Sequence, residues 1–234
     1  MNYDLWYWPT LQGRGEFVRL AMEGAGIAYR DRAREDGVDA MQRRMAASPR
    51  APFAPPFLEL GDLRIAQVAN ILQYLGERHG LALSSIRDRS WANQWQLTIA
   101  DLVAEVHAVH HPVDMGAYYG DQRPEAARAA AQFRDQRMPK FLGWFETLLG
   151  EHDGPWAIDH RWTYVDTSLF QVVDGLRHAF PRRMATLEPR LPRLVAIRDA
   201  VAALPGIADY LASDRRIPFN DNGIFRHYPE LDAD

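Results

Sequence analysis

The sequence predicts two domains of different fold class, an α/β domain over residues 1–83 and an all-α helical domain over 91–234. Strand and helix patterns alternate in the first part of the chain, whereas nothing after "SSIRDRS" has the pattern of a strand. A length of 234 residues, 47% of them hydrophobic, is enough for two cores of moderate size. We expect a linker between the domains at about 82–90.

Composition excludes several kinds of site. The chain has no cysteine, so disulfides, thiolate zinc sites, redox pairs and a cysteine nucleophile are excluded, and any sulfur chemistry must use a bound thiol. The formal net charge is −4, which argues against nucleic acid or an anionic membrane as a partner. No run reaches the roughly 18 apolar residues of a transmembrane helix. The first residues do not have the pattern of a secretory signal, and we expect a cytoplasmic protein.

The first domain is expected to hold a small sheet with helices on its face, in the order βαβ then ββα. A Gly-Asp pair at 61–62 predicts a tight hairpin. The pattern between residues 34 and 56 is weak and contains only a short helical candidate at 40–47. The other predicted strands and helices lie, in order, at residues 5–8, 16–24, 27–30, 57–60 and 63–65. They are followed by a helix whose apolar stripe is Val68, Ile71, Leu72 and Leu75.

The second domain is predicted to be a succession of helices. Apolar residues mark a long helix from about residue 91 that ends at Pro112, and another from roughly 124 to 149. A third begins at "WTYVDTSLF", where Thr163 and Asp166 have the spacing of a capping box. Further helices fit "LPRLVAIRDAVAAL" and "PGIADYLAS".

This order of elements, together with several motifs, resembles the cytosolic glutathione transferases. The motifs are "PPFLELGDLRIAQVANILQYL" in the first domain and "TIADLVAE", "WTYVDTSLF" and "PGIADYLASDRRIP" in the second. The resemblance covers nearly the whole chain and is closest to the tyrosine-type branch, the mu, pi and sigma-like enzymes and their bacterial relatives. It implies a thioredoxin-like first domain, a homodimer and glutathione as co-substrate.

Gln67 stands directly before a helix, where the resemblance places the γ-glutamyl part of glutathione. A helix N-terminus offers unpaired N–H groups and partial positive charge to the α-carboxylate. Relatives commonly have serine or threonine after the glutamine, but this chain has Val68. The backbone N–H remains, and a hydroxyl hydrogen bond of about 0.5–3 kcal/mol is lost. Alternatively, Gln67 only caps the helix and Val68 only begins its apolar stripe.

Other glutathione contacts implied by the resemblance depart from the family pattern or are less specific. Pro56 matches the family's cis-proline, whose preceding backbone pairs with the cysteinyl part of glutathione. Here the preceding residue is Pro55, which has no N–H, so altered or weaker binding is expected. Arg43 or Arg44 occupies the region where a cation often meets the glycyl carboxylate, although both also suit a solvated helix. Asp101 of "TIADLVAE" matches an aspartate that reaches across the dimer to the glutathione amino group; a solvated surface is the alternative.

Tyr7, in "LWYWPTLQGRGEFVRL", is the candidate catalytic residue. In tyrosine-type enzymes a tyrosine at the end of the first strand donates a hydrogen bond to the glutathione sulfur. This favours the thiolate, because a hydrogen bond to the charged form lowers a pKa. Thr10 is the rival, since the loop is one residue longer than usual and other branches use a hydroxyl there. A third alternative is that neither acts and Tyr7 is a half-buried strand aromatic.

His107, His110 and His111 share one helical face at i, i+3 and i+4. This spacing suggests a metal site, but no carboxylate or cysteine completes a ligand set, so the sequence favours no metal. We expect instead that this helix lines the pocket of the second substrate, with His107 or His111 near the electrophile beside Trp8. The tyrosines at 118–119 and the tail "NDNGIFRHYPELD" are expected to close that pocket.

The predicted reaction is attack of a Tyr7-stabilised glutathione thiolate on a small apolar electrophile, a detoxification chemistry in which the protein also holds the two reactants together. The alternative is a non-catalytic relative that keeps the fold as a binding or dimerisation module. The departures at Pro55 and Val68 support that alternative. A thiol-disulfide oxidoreductase on the same fold would need a cysteine that the chain lacks.

Overall fold

A four-stranded mixed sheet forms the centre of the first domain in the computed structural model, which describes residues 2–47, 50–151, 153–158 and 160–233. The strands are β1 Tyr3–Trp6, β2 Tyr29–Asp31, β3 Phe57–Leu60 and β4 Leu63–Ala66, in the spatial order β2-β1-β3-β4. β1 and β2 are parallel, and the other two pairs are antiparallel. The strands follow one another along the chain as predicted, and the antiparallel pairing places the end of β1 beside the start of β3.

The strand predicted at 5–8 was wrong by two residues. β1 ends at Trp6, which pairs with Phe57 of β3. The aromatic run continues past this point, and the position of the strand end is set by partners that are distant in sequence. Tyr7 and Trp8 therefore lie in the loop that follows β1. Their side chains need not alternate between the two faces of the sheet as they would in a strand.

Four helices flank the sheet: α1 Gly15–Gly24, α2 Arg32–Asp36, α3 Val38–Ala46 and α4 Val68–His79. Alternate residues of β1 belong to two cores. Leu5 packs in the main core with α1 and α4, and Trp6 packs in a smaller cluster with Ala33 of α2 and Met41 of α3. The sequence did not predict α2, because its five residues are too few to show a helical period.

The described part of the second domain contains seven α-helices: α5 Ile86–His110, α6 Arg123–Gln132, α7 Met138–Leu149, α8 Tyr164–Ala179, α9 Pro181–Leu187, α10 Pro192–Ala202 and α11 Pro205–Leu211. α5 begins before the predicted start at about residue 91, because Ser85 caps it. The Ser85 Oγ accepts the N–H of Asp88 at 3.0 Å. The connection between α4 and α5 is therefore shorter than the expected 82–90 linker. In the described chain no helix has the length and apolar character needed to cross a membrane.

The helix predicted over 124–149 is divided into two. α6 and α7 are joined by a π-helical turn over Phe133–Arg137. Pro139, in the first turn of α7, explains the change of pitch, since proline has no N–H to donate and its ring clashes with the carbonyl four residues earlier. The prediction gave the correct extent of this helical segment but not its interruption.

α8 packs against α1, α5 and α10 and so connects the two domains. Its predicted capping box is confirmed: Thr163 Oγ1 accepts the N–H of Val165 at 3.2 Å, and Asp166 accepts the N–H of Thr163 at 2.7 Å. Burial raises the pKa of the Asp166 carboxyl to about 6, while the N–H groups of Ala157 and Thr163 act in the opposite direction. The cap thus places an ionisable group in the interior at the start of the central helix.

Candidate active site

A cavity of about 750 Å³ lies between the first domain and α5, a size typical of small-molecule sites, which span about 300–1,000 Å³. Its wall combines the loop before β3, the first turn of α4 and one face of α5. Three of the predicted site residues line it, namely Pro55, Gln67 and Val68. The structure therefore brings together the residues assigned to the glutathione backbone and its α-carboxylate.

Gln67 precedes α4 with a positive φ of 69°, a conformation that a non-glycine residue adopts at a cost of about 1–3 kcal/mol. Gln67 occupies the N-cap position of α4, as the alternative interpretation held, but its side chain makes no capping hydrogen bond. Its backbone carbonyl accepts the N–H of Ile71 at 2.9 Å and so begins the helix. The exposed amide side chain is left at the cavity wall, where a ligand can meet it.

The first turn of α4 supplies an anion-binding element. The N–H groups of Val68, Ala69 and Asn70 precede the first intrahelical bond and have no acceptor within the helix. All three residues line the cavity, and the helix dipole adds partial positive charge at this end. The Val68 side chain packs against the main core, so only its backbone can hydrogen-bond to a ligand.

The peptide bond between Pro55 and Pro56 is cis, as the resemblance implies for Pro56, and both residues line the cavity. Because Pro55 has no N–H, the backbone there can accept a hydrogen bond through its carbonyl but cannot donate one. Phe53, two residues earlier, is 94% exposed and also belongs to the cavity wall.

Tyr7 is 5% exposed, and its hydroxyl oxygen accepts the backbone N–H of Arg14 at 2.9 Å. Glycines on both sides of Arg14 make room for the ring. A Cβ on Gly13 would lie 2.1 Å from the Tyr7 hydroxyl, and one on Gly15 would lie 2.5 Å from the ring. Burial raises the pKa of the Tyr7 phenol, although the Arg14 N–H and charge oppose this. The hydroxyl is therefore protonated at neutral pH and keeps its hydrogen for a second partner.

Tyr7 is not among the residues that line the cavity, whereas Arg14 is. Thr10 is exposed in the loop after β1, and its carbonyl accepts a hydrogen bond from Asn220 Nδ2 at 2.9 Å. Trp8 packs against the small cluster around Trp6. Neither Thr10 nor Trp8 lies in the cavity wall, and of the two candidate hydroxyls only that of Tyr7 is bonded directly to a residue of the wall.

Arg44 does not line the cavity and pairs with Glu59 of β3. Arg44 Nε donates to both carboxylate oxygens of Glu59 at 3.1 and 3.0 Å, and Arg64 Nε and Trp6 Nε1 donate to the same group at 2.7 and 2.9 Å. Burial acts to raise the pKa of Glu59, but these three donors outweigh it and lower the pKa. Arg43 is exposed on the same helix. Neither arginine lines the cavity, and the assignment of either one to the glycyl carboxylate stays a prediction.

Asp101 is exposed on α5, next to Ala100, which lines the cavity. Glu105, one turn later on the same face, accepts a hydrogen bond from Arg137 at 2.8 Å. No ion pair to Asp101 occurs among the residues that the structure describes. Its carboxylate is thus at the surface beside the cavity, and its assignment to a partner subunit's site stays a prediction.

The three histidines form a cluster at the end of α5, with one ring nitrogen from each within 4.8 Å of the others. His110 is 3% exposed and His107 and His111 are half-buried. Burial lowers the pKa of His107 to about 4 and that of His110 to about 3, and positive charge from Arg226 adds to both effects. None of the three lines the cavity, so the role predicted for His107 and His111 beside the electrophile stays a prediction.

The tail of the chain packs next to this cluster and against the loop after β1. Ile224 and Phe225 are buried, and the Ile224 carbonyl lies 2.9 Å from His110 Nε2. Tyr119 stacks on Tyr228 at 3.9 Å between ring centroids. The tail is thus an ordered part of the second domain, and its residues are not part of the cavity wall.

Arg14 and Gln96 are two of the cavity residues that the sequence did not identify. Arg14 was present in the quoted "GRGE" but was not assigned a role. Gln96 is 1% exposed, lines the cavity, and its Oε1 has no hydrogen-bond partner among the described residues. The spacing of Gln96, Ile99 and Val103 at i, i+3 and i+7 could have identified this amide as a polar group within an apolar helix face.

Comparison with known proteins agrees with this architecture. A family model described as "Glutathione S-transferase, C-terminal domain" matches residues 107–214. The glutathione S-transferase of Plasmodium falciparum (isolate 3D7) is 23% identical over 221 residues, which cover 91% of this chain and 96% of that protein. Hematopoietic prostaglandin D synthase of Gallus gallus is 28% identical over 218 residues, which cover 90% of this chain and 95% of that protein.

Solved structures give the same result for the fold. The pi-class glutathione S-transferase of Onchocerca volvulus has a TM-score of 0.75 and 21% identity, covering 95% of this chain and 99% of that chain. The mixed sheet with its helices and the helical second domain confirm the predicted thioredoxin-like plus all-α fold.

Proposed function

Because the chain belongs to the cytosolic glutathione S-transferase family, we propose that it joins reduced glutathione to small apolar electrophiles as a tyrosine-type transferase. Tyr7 is the proposed catalytic residue. The glutathione sulfur forms a new bond to the electrophilic carbon, the thiol proton goes to solvent, and a leaving group departs or an activated double bond takes up the electron pair.

The hydrogen bond between the Arg14 N–H and the Tyr7 hydroxyl carries this proposal. Since that N–H occupies a lone pair of the oxygen, the phenolic hydrogen is directed to another acceptor. Donation to the glutathione sulfur stabilises the thiolate relative to the thiol, and the thiolate is the nucleophile. The charge of Arg14, whose side chain lies in the cavity wall, acts in the same direction.

We assign the remaining contacts from the cavity wall. The first turn of α4 and the Gln67 amide bind the α-carboxylate, and the Pro55 carbonyl accepts an N–H from the cysteinyl residue. Without the usual hydroxyl at Val68, this site has one donor fewer, and glutathione affinity is expected to be lower by about 0.5–3 kcal/mol than with serine or threonine there. The predicted contact of Asp101 requires a homodimer, which exposed Phe53, Leu97 and Met115 at the cavity support.

The Tyr7→Phe variant tests the reaction, with a chloronitroaromatic electrophile and reduced glutathione as substrates. Loss of one charge-assisted hydrogen bond predicts a fall in kcat of at least about tenfold, with little change in glutathione binding measured by calorimetry. Thr10→Val is the matched hydroxyl control and should keep its activity. Equal rates for Tyr7→Phe and the parent would remove Tyr7 from the mechanism.

The same assay separates the transferase from a non-catalytic binding module. A chain that binds glutathione but never exceeds the uncatalysed rate, with electrophiles of varied size, would support the binding module. Saturable turnover supports the transferase.

A further inference from the structure

We propose that His107, His110 and His111 form a binding site for a divalent transition-metal ion, with Zn²⁺ as the reference ion. The site lies at the end of α5 and shares no residue with the wall of the large cavity. It is therefore separate from the proposed glutathione site, and metal binding can be measured without glutathione.

The geometry of the three rings is close to that of a three-histidine site. Ring centroids lie 5.1 Å apart for His107 and His110, 5.1 Å for His107 and His111, and 4.8 Å for His110 and His111. One ring nitrogen from each histidine lies within 4.8 Å of the others, whereas tetrahedral zinc with bonds of about 2.0–2.1 Å needs nitrogens about 3.3 Å apart. We infer that side-chain rotation of the half-buried His107 and His111 closes this difference around the fixed ring of His110.

Backbone carbonyls fix which nitrogen of two rings keeps its lone pair. His110 Nε2 lies 2.9 Å from the Ile224 carbonyl, and His111 Nδ1 lies 3.1 Å from the Ala117 carbonyl. A carbonyl only accepts, so these nitrogens carry hydrogen, and His110 Nδ1 and His111 Nε2 are left as ligands. Such carbonyl partners typically orient the histidines of metal sites.

His110 Nδ1 is the strongest single indication. It belongs to a side chain that is 3% exposed, it is itself buried, and it has no hydrogen-bond partner within the described chain. A buried polar atom without a partner is costly, and a metal ion bound at the cluster removes this cost. His107 and His111 are half-buried, which leaves access for the ion and for water as a fourth ligand.

Surrounding charges set the expected strength. The positive charge of Arg14 is felt at His107, and that of Arg226 at all three rings. Both arginines therefore repel a metal cation bound at the cluster. The negative charge of Asp114, felt at His111, attracts a metal cation instead. With neutral ligands and arginines nearby, we expect micromolar rather than tighter affinity.

Titration of the full chain, purified without a histidine tag, with Co²⁺ tests the site. We expect one Co²⁺ per chain and visible d–d absorption bands of four- or five-coordinate cobalt, which Zn²⁺ then removes. His107→Ala and His110→Ala should each weaken binding by more than about tenfold, since even loss of an outer-shell partner costs about 10–100-fold. The exposed His160, outside the cluster, supplies the control His160→Ala, which should bind as the parent does.

Two results would overturn the site: no cobalt spectrum at millimolar metal, or binding equally weakened in His160→Ala. Should His110→Ala fail to fold by circular dichroism, the half-buried His107→Ala variant decides the question. Glutathione binding and transfer by the parent are measured separately, so failure here leaves the proposed transferase function untouched.

Discussion

The hydroxyl oxygen of Tyr7 lies 2.9 Å from the backbone nitrogen of Arg14 and accepts its hydrogen. This bond joins the loop after β1 to the start of α1. It holds the phenol in one orientation, and it couples a buried hydroxyl to a residue of the cavity wall. Catalysis in the proposed mechanism therefore depends on the turn that wraps the ring as well as on the tyrosine.

Gly15→Ala is expected to disturb this turn. A Cβ at Gly15 would lie 2.5 Å from the Tyr7 ring, and overpacking of this kind destabilises by about 1–3 kcal/mol. We expect a lower free energy of unfolding in urea and a lower kcat. Gly143→Ala is the matched control, because a Cβ there meets nothing within 4 Å and alanine favours the helix by up to about 1 kcal/mol. Equal stabilities of the two variants would show that Gly15 does not confine the ring.

A pair of substitutions at Gln67 separates backbone strain from side-chain binding. Gln67→Gly relieves the positive φ of 69°, whereas Gln67→Ala keeps it, so the glycine variant should be more stable than the alanine variant by about 1 kcal/mol. Both lose the amide, and the KM for glutathione should rise by about 2–10-fold in each. Parent-like glutathione affinity in both variants would remove the side chain from the site.

Asp166→Asn tests the buried carboxyl of the capping box. Its amide can accept fewer of the hydrogen bonds from Thr163 and Ala157, so we expect a loss of about 1–3 kcal/mol in the free energy of unfolding near neutral pH. Thr186→Ala, on the exposed surface of α9, is the comparison and should stay within about 0.5 kcal/mol of the parent.

The difference in the free energy of unfolding between the parent and Asp166→Asn is expected to change with pH in one direction. Burial raises the pKa of Asp166 from 3.8 to about 6 in the folded state. The folded chain then binds more protons than the unfolded chain between these values, and stability falls as pH rises through them. Relative to Asp166→Asn, the free energy of unfolding of the parent should fall by up to about 3 kcal/mol between about pH 4 and 6. Above pH 6 the difference between the two should stay constant. If the free energy of unfolding instead rises over that range, the hydrogen bonds to Asp166 lower its pKa by more than burial raises it.

Local patterns were enough to predict most helices. The stripe from Val68 to Leu75 and the capping box at Thr163 were correct because a helix is formed and capped by residues close in sequence. The end of β1 was predicted incorrectly, because its position depends on pairing with Phe57. Pro139 was visible in the sequence, but the apolar pattern on both sides of it continues, so the interruption was not predicted.

The site was predicted only where the motif lies within a few residues. Gln67, Val68 and Pro55 all line the cavity, since each belongs to a continuous stretch of chain. Arg44 was assigned to a ligand, but the structure pairs it with Glu59 of β3, a contact that the loosely patterned segment between them could not reveal. The histidine spacing was noticed, yet the carbonyl of Ile224, 114 residues from His110, is what orients the ring.

Asp101 is expected to act on the active site of a second copy of the chain. It is exposed beside Ala100 of the cavity wall and has no ion pair within the described residues. A carboxylate facing the glutathione ammonium contributes about 1.5–3 kcal/mol. Asp101→Asn should therefore raise the KM for glutathione by about tenfold or more, and Asp135→Asn, an exposed carboxylate on the π-turn, should not.

A mixed dimer of Tyr7→Phe and Asp101→Asn chains decides whether the contact crosses the dimer. If it does, the chain with an intact Tyr7 receives its carboxylate from the Tyr7→Phe partner, and one of the two sites is complete. Differently tagged chains, co-expressed and purified through both tags, should then recover about half of the parent activity at low glutathione. If Asp101 acts within its own chain, neither site is complete, and the mixed dimer should be no better than the average of the two variants. A chain that stays monomeric in light scattering would contradict the shared site directly.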